Sequence, residues 1–127
     1  MQVVAHGIDM VDCRRLAQAV RRHGQRFLKR IYTPAELDYC LGRKRQLEHL
    51  AGRFAAKEAV LKVLGTGLVQ GMRWTDIEVT NAPSGQPEVT LSGRVRAVAE
   101  EKGIRRILIS ITHIETHAIA SAVATDA

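Results

Sequence analysis

The chain has 127 residues, of which 46% are hydrophobic and 25% charged, and a net charge of +6. That length points to a single domain, 1–127, able to bury roughly 65 to 70% of its unfolded surface, and the composition excludes the disordered class. No apolar run approaches the roughly 18 residues that cross a bilayer, and the opening MQVVAHGID lacks the basic and long apolar regions of a signal peptide, so a cytoplasmic protein without membrane contact is expected.

Taken in chain order, residues 2–9 (QVVAHGID) are short, apolar and β-branched, which predicts a strand ending at Asp9. Residues 14–30 hold seven Lys or Arg and no acid. As a helix they set Arg15, Arg22 and Arg26 on one face, with Leu16 and Phe27 on another and a break or bend at Gly24. Such a face either docks something acidic or is simply solvated. Thr33, Pro34 and Glu36 in TPAEL predict a capping box at a helix start, with the helix ending near Gly42.

The next helix is expected from about residue 47 to Leu64, with Gly65 as its C-cap. It carries Arg53, Lys57, Glu58 and Lys62 in under three turns, beside an apolar set of Phe54, Val60, Leu61 and Leu64. The plain explanation is a solvated face with a Glu58–Lys62 pair four residues apart, contributing about 0.3 to 0.5 kcal/mol. Gly65, Gly67 and Gly71 then suggest a flexible loop, although neither a P-loop nor a dinucleotide fingerprint is present.

From Asp76 the period becomes two. DIEVT and EVTL read as a hairpin with its turn set by Pro83, Gly85 and Pro87, followed by a short helix capped by Ser92 and stopped at Gly103. ILISITH and HAIASAVA supply two more strands. The order predicts an α+β fold with a mainly antiparallel sheet packed against helices.

Asp9 and Glu58 are the carboxylates that stand out by placement. If the fold brings them together, two hard oxygen ligands with open positions suit Mg²⁺, which usually takes one or two protein carboxylates and fills its shell with water and substrate phosphates. His113 and His117 flank a turn and do not share a helix face, so zinc is not expected. Cys13 and Cys40 match no metal or disulfide pattern. Nucleic-acid binding fits the basic charge, but the chain has only five aromatic residues to serve as stacking platforms.

GIDMVD at 7–12, RIYTPAEL at 30–37, LAGRFAAKEAVLKVLGTG at 50–67, DIEV at 76–79, SGQP at 84–87 and SITH at 110–113 occur together and in order. In this the chain resembles the short, trimeric type of 4′-phosphopantetheinyl transferase, the holo-acyl-carrier-protein synthases, over nearly its whole length. The resemblance implies transfer of the 4′-phosphopantetheine arm from coenzyme A to a serine of apo-acyl carrier protein, releasing adenosine 3′,5′-bisphosphate, in fatty acid biosynthesis. Carrier domains of polyketide or peptide synthases are the alternative acceptors.

The resemblance implies Mg²⁺ held by Asp9 and Glu58. Lys62 would neutralise charge on the coenzyme A diphosphate, and either Glu58 or a water on the metal would take the serine proton. By the same resemblance Arg53, Lys62, Gly65, Gly85, Pro87 and His113 bind coenzyme A, with Arg53, His113 and the turn near the 3′-phosphate and adenine. Arg15, Arg22 and Arg26 would receive the acidic carrier protein, and active sites would lie between subunits of a homotrimer. Two departures stand out: AHGID replaces the usual GIGID at 5–9, and Ile114 follows His113 where many members have threonine. No role is assigned to Ile114.

Overall fold

A computed structural model describes residues Met1–Ala127. The elements are β1 (Val3–Asp12), α1 (Cys13–Ile31), α2 (Pro34–Leu41), α3 (Gln46–Leu64), β2 (Ile77–Asn81), β3 (Pro87–Leu91), α4 (Gly93–Glu101), β4 (Arg106–His113) and β5 (His117–Thr125). Antiparallel pairing gives a three-stranded sheet in the order β1-β5-β4 and a separate two-stranded β2-β3 hairpin. The expected α+β class and antiparallel pairing are observed.

Helix α3 is buried on nearly every side, as a helix must be when it lies at the centre of its domain. Small residues let it sit close to the sheet. Ala118, Ala120, Ala122 and Ala124 alternate along β5 and face inward, opposite Ala51, Ala55, Ala56 and Ala59, all of them 1% exposed or less. Gly52 lies against Ile111, whose Cγ2 would be 2.9 Å from an added Cβ. At Gly7 of β1, a Cβ would strike the Ala59 carbonyl and come within 3.0 Å of Lys62 Cβ.

Most predicted boundaries hold. The Thr33–Glu36 capping box forms, Gly42 ends α2, and Gly65 caps α3 at φ 74°. Gly24 breaks α1 with φ 57° and ψ −137°. Strand β1, however, runs three residues past Asp9, because its pairing with β5 continues to Asp12↔His117. Asp12, not Asp9, ends the strand and caps α1, accepting from the Arg14 amide at 2.8 Å. Ser92 makes no side-chain cap on α4; its hydroxyl turns back to the Asp76 carbonyl at 3.4 Å.

The solvated-face account of α3 fails at Lys57, which is fully buried. Its Nζ donates to Glu36 Oε1 at 2.7 Å, to the Ile77 carbonyl at 2.6 Å and to the Trp74 carbonyl at 3.2 Å. Glu36, also fully buried, accepts from the amides of Thr33 and Val79, each at 2.8 Å. Burial pushes the Lys57 ammonium below its ordinary value, against the pull of Glu36. Cross-hairpin bonds at Asp76–Ser92 and Ala82–Gln86 leave Ile77 and Val79, by alternation, facing away from β3. The ion pair therefore occupies the edge of β2 where another strand would pair.

Breaking a buried pair strands the remaining charge, so Glu36→Gln should destabilise the fold by about 3 to 5 kcal/mol. Urea unfolding at pH 7 measures this, and a loss below about 1 kcal/mol would show that the pair does not hold the hairpin.

Candidate functional site

The tight contact of Gly7 with α3 sets the next residues of β1 beside the last turns of that helix. Lys62 Nζ reaches across to donate to the Ile8 carbonyl at 2.8 Å and to Asp9 Oδ1 at 3.2 Å. Lys62 therefore bridges to Asp9 and forms no ion pair with Glu58, contrary to the four-residue spacing. Glu58 stands close enough to Asp9 to feel its charge. Its carboxyl titrates above the ordinary value, first through burial and then through Asp9, with Lys62 opposing. The two carboxylates singled out from sequence do share one site.

That site holds two hard, like-charged oxygen donors and one cation. No group of three or more His, Cys, Asp or Glu side chains gathers anywhere in the chain. The donor set thus fits a divalent ion such as Mg²⁺ that completes its shell from water and substrate phosphate, and falls short of what zinc requires.

A second cluster forms near the other end of α3. Arg53 is only 4% exposed: its guanidinium lies over the Tyr39 ring at 4.1 Å and donates to Asn81 Oδ1 at 2.6 Å, so it is not a solvated surface charge. Its Nε is buried without a partner, an orphan donor suited to an anion. Asn81 Nδ2 donates to the Gly85 carbonyl at 2.9 Å, which ties Arg53 to the hairpin turn where Gly85 adopts φ 91° and Pro87 pairs with Asn81. His113 ends β4, with Nδ1 2.7 Å from Glu48 Oε1.

Sequence reasoning overlooked Glu48, Tyr39 and Asn81, none of which sits in a recognisable spacing. It also placed Arg53 and Lys62 toward one ligand. They are nine residues apart, which at about 100° per residue puts them on opposite sides of α3. Gly65 caps the helix beyond Lys62. Arg15, Arg22 and Arg26 are exposed, but the break at Gly24 separates Arg26 from the other two, so the three do not share one continuous helix face.

Comparison with known proteins adds a lineage to this geometry. Residues 5–122 match the family model described as the 4′-phosphopantetheinyl transferase superfamily. The chain is 44% identical over 124 residues to a holo-[acyl-carrier-protein] synthase of Koribacter versatilis, covering 98% of this chain and 99% of that one. It is 48% identical over 118 residues to the protein of that name from Moorella thermoacetica, covering 93% and 89%. Among solved structures, the Neisseria meningitidis holo-[acyl-carrier-protein] synthase superposes with a TM-score of 0.89 at 32% identity, covering 98% of this chain and 99% of that one. The Helicobacter pylori holo-[acyl-carrier-protein] synthase, solved in complex with coenzyme A, gives 0.83 at 32% identity, covering 94% and 99%.

The electrostatics of the first cluster are directly measurable. Because Glu58 titrates above its unfolded value, its protonated form contributes stability that is fully present below the unfolded value and is lost as pH rises through the raised one. Asp9→Asn should move the Glu58 titration down and Lys62→Met should move it up, read by carboxyl ¹³C NMR. Identical titrations in both variants would separate Glu58 from the cluster.

Proposed function

The chain belongs to the 4′-phosphopantetheinyl transferase superfamily, and from that premise we propose that its Asp9–Glu58–Lys62 cluster transfers the 4′-phosphopantetheine arm of coenzyme A to a serine of apo-acyl carrier protein. The observation that carries the reading is the convergence of those three side chains from β1 and α3. Asp9 and Glu58 would hold Mg²⁺, and the ion would supply positive charge against the coenzyme A diphosphate.

Lys62, anchored on the Ile8 carbonyl and Asp9, keeps a fixed positive charge beside the same phosphates and needs no reorganisation during reaction. The serine Oγ forms a bond to the phosphorus carrying the pantetheine arm, and the bond from that phosphorus to the oxygen of adenosine 3′,5′-bisphosphate breaks. Glu58 takes the serine proton. The exposed Arg15, Arg22 and Arg26 receive the acidic carrier protein, and steering of this kind acts chiefly on encounter. No helix is long and apolar enough to cross a membrane, and we place the enzyme in the cytoplasm, serving fatty acid synthesis.

Purified protein with coenzyme A, apo-acyl carrier protein and Mg²⁺ should yield a carrier protein heavier by one phosphopantetheinyl group. Asp9→Ala and Glu58→Ala should each remove most turnover. Charge reversal at Arg15, Arg22 and Arg26 should raise the KM for carrier protein at low salt while sparing that for coenzyme A. An unchanged carrier mass across metals and pH would end the proposal.

The opposite directions of Arg53 and Lys62 are the reason to read the complete site as shared between copies in a homotrimer. One coenzyme A would meet Lys62 of one chain, and its 3′-phosphate would meet Arg53 and His113 of the next. The sheet face turned away from α3 offers the apolar surface for this, with Ile8 60%, Met10 62% and Leu108 44% exposed. Mixing the inactive Asp9→Ala protein with Arg53→Ala under subunit exchange, at coenzyme A too dilute to saturate Arg53→Ala, should raise activity above that of either protein alone. Absence of any recovery from exchanged oligomers would assign the whole site to one chain.

A further inference from the structure

Glu48 lies in the first turn of α3 and is 7% exposed. A buried carboxylate needs compensation. Arg45 gives little: its Nε stands 3.9 Å away on a side chain 73% exposed to water. The close partner is His113, 2.7 Å from Glu48 Oε1 through Nδ1. An ionised carboxylate only accepts, so Nδ1 carries a proton and donates it. This fixes both tautomer and ring plane, and leaves Nε2 with no hydrogen bond inside the chain.

His113 stands beside an aromatic and cationic group. His49, the next residue of α3, packs edge-on to His113 with ring centroids 5.4 Å apart and edge-on to Tyr39 at 5.6 Å. Burial lowers the His49 titration, and His113, Arg53 and Arg43 push the same way against Glu48, so this ring is an uncharged wall at neutral pH. Arg53 and Arg43 both lie over Tyr39, at 4.1 and 3.9 Å. Cys13 of α1 also faces Glu48, and its thiol is raised by burial and then by that carboxylate. Exposed Asp38 lines the same cleft as Tyr39, Arg43 and His49, and Glu48 is the buried acid that touches His113.

We propose that Glu48 is a positioning residue for nucleotide recognition: by holding Nδ1 of His113 it aims Nε2 at the 3′-phosphate of coenzyme A. This rests on the reading above that Arg53 and His113 receive that phosphate. A ring with only Nδ1 protonated would offer the phosphate a lone pair. Phosphate binding therefore draws a second proton to Nε2, and the Glu48 charge compensates the imidazolium from the far side.

The test compares coenzyme A with 3′-dephospho-coenzyme A, by calorimetric binding and by steady-state kinetics. Glu48→Ala should weaken binding and raise KM for coenzyme A about tenfold, the scale of a lost charge-assisted hydrogen bond, with kcat and the dephospho substrate unaffected. Glu48→Gln, which keeps the shape and an acceptor oxygen, should fall between Ala and wild type, and it serves as the readout if the Ala variant melts early. His113→Ala should match Glu48→Ala. If His113→Ala weakens coenzyme A more than 3′-dephospho-coenzyme A while both Glu48 variants change the two equally or not at all, the positioning role is wrong and the phosphate site stands. If His113→Ala also changes the two equally or not at all, the phosphate is not at His113 and both readings fall.

Discussion

The free edge of β2 is the constraint from which the rest of the molecule follows. A two-stranded hairpin cannot stand alone in water, and a strand edge left bare inside a protein would bury unpaired amides and carbonyls. Here the Glu36 carboxylate takes the Val79 amide and the Lys57 ammonium takes the Ile77 carbonyl, while the two side chains pair with each other. Three elements, α2, α3 and β2, are thereby locked in one register. A buried ion pair contributes little net stability against a well-packed apolar alternative. What it supplies here is direction, because only one seating of the hairpin satisfies all of its donors and acceptors.

That seating decides where the turn of the hairpin comes to rest. Asn81, at the end of β2, meets Arg53 on one side and the Gly85 carbonyl on the other. Arg53 is in turn held flat on Tyr39. The guanidinium would therefore lose little rotational freedom on binding the anion proposed for it, which is how a planar, preorganised fork contributes affinity. At the opposite end of α3 the close approach comes from missing side chains. Gly7 and the alanine face of β5 let the helix lie near the sheet, and β1 delivers Asp9 to the neighbourhood of Glu58 and Lys62. Two carboxylates brought together in this way cost stability, and such perturbed groups cluster at functional sites.

One helix thus presents two chemical faces, a carboxylate pair with a lysine near its end and an arginine–histidine group near its start. The helical repeat separates them by about half a turn, as the proposed sharing of the site between copies requires. The apolar residues on the outer sheet face, which the monomer's own core does not use, agree with such an arrangement.

Local chemistry made much of this legible in the sequence. The Thr33–Glu36 capping box, the Gly65 cap, the hairpin turn and the alternating strands follow from short-range rules that tertiary contacts did not override. The pairing of Asp9 with Glu58 could be suspected because carboxylates at exceptional positions are rarely idle, and the order of the motifs identified the family. Tertiary structure alone decided which charges of α3 are buried, since Lys57 is indistinguishable from a surface lysine until Glu36 and the β2 edge arrive from elsewhere in the chain. It also decided that Lys62 turns to Asp9 instead of Glu58, and that Glu48 backs His113 across 65 residues. Spacing along a helix specifies a face, but a side chain's partner is whatever the packing of other elements brings to that face, and packing at such sequence separation leaves no local trace.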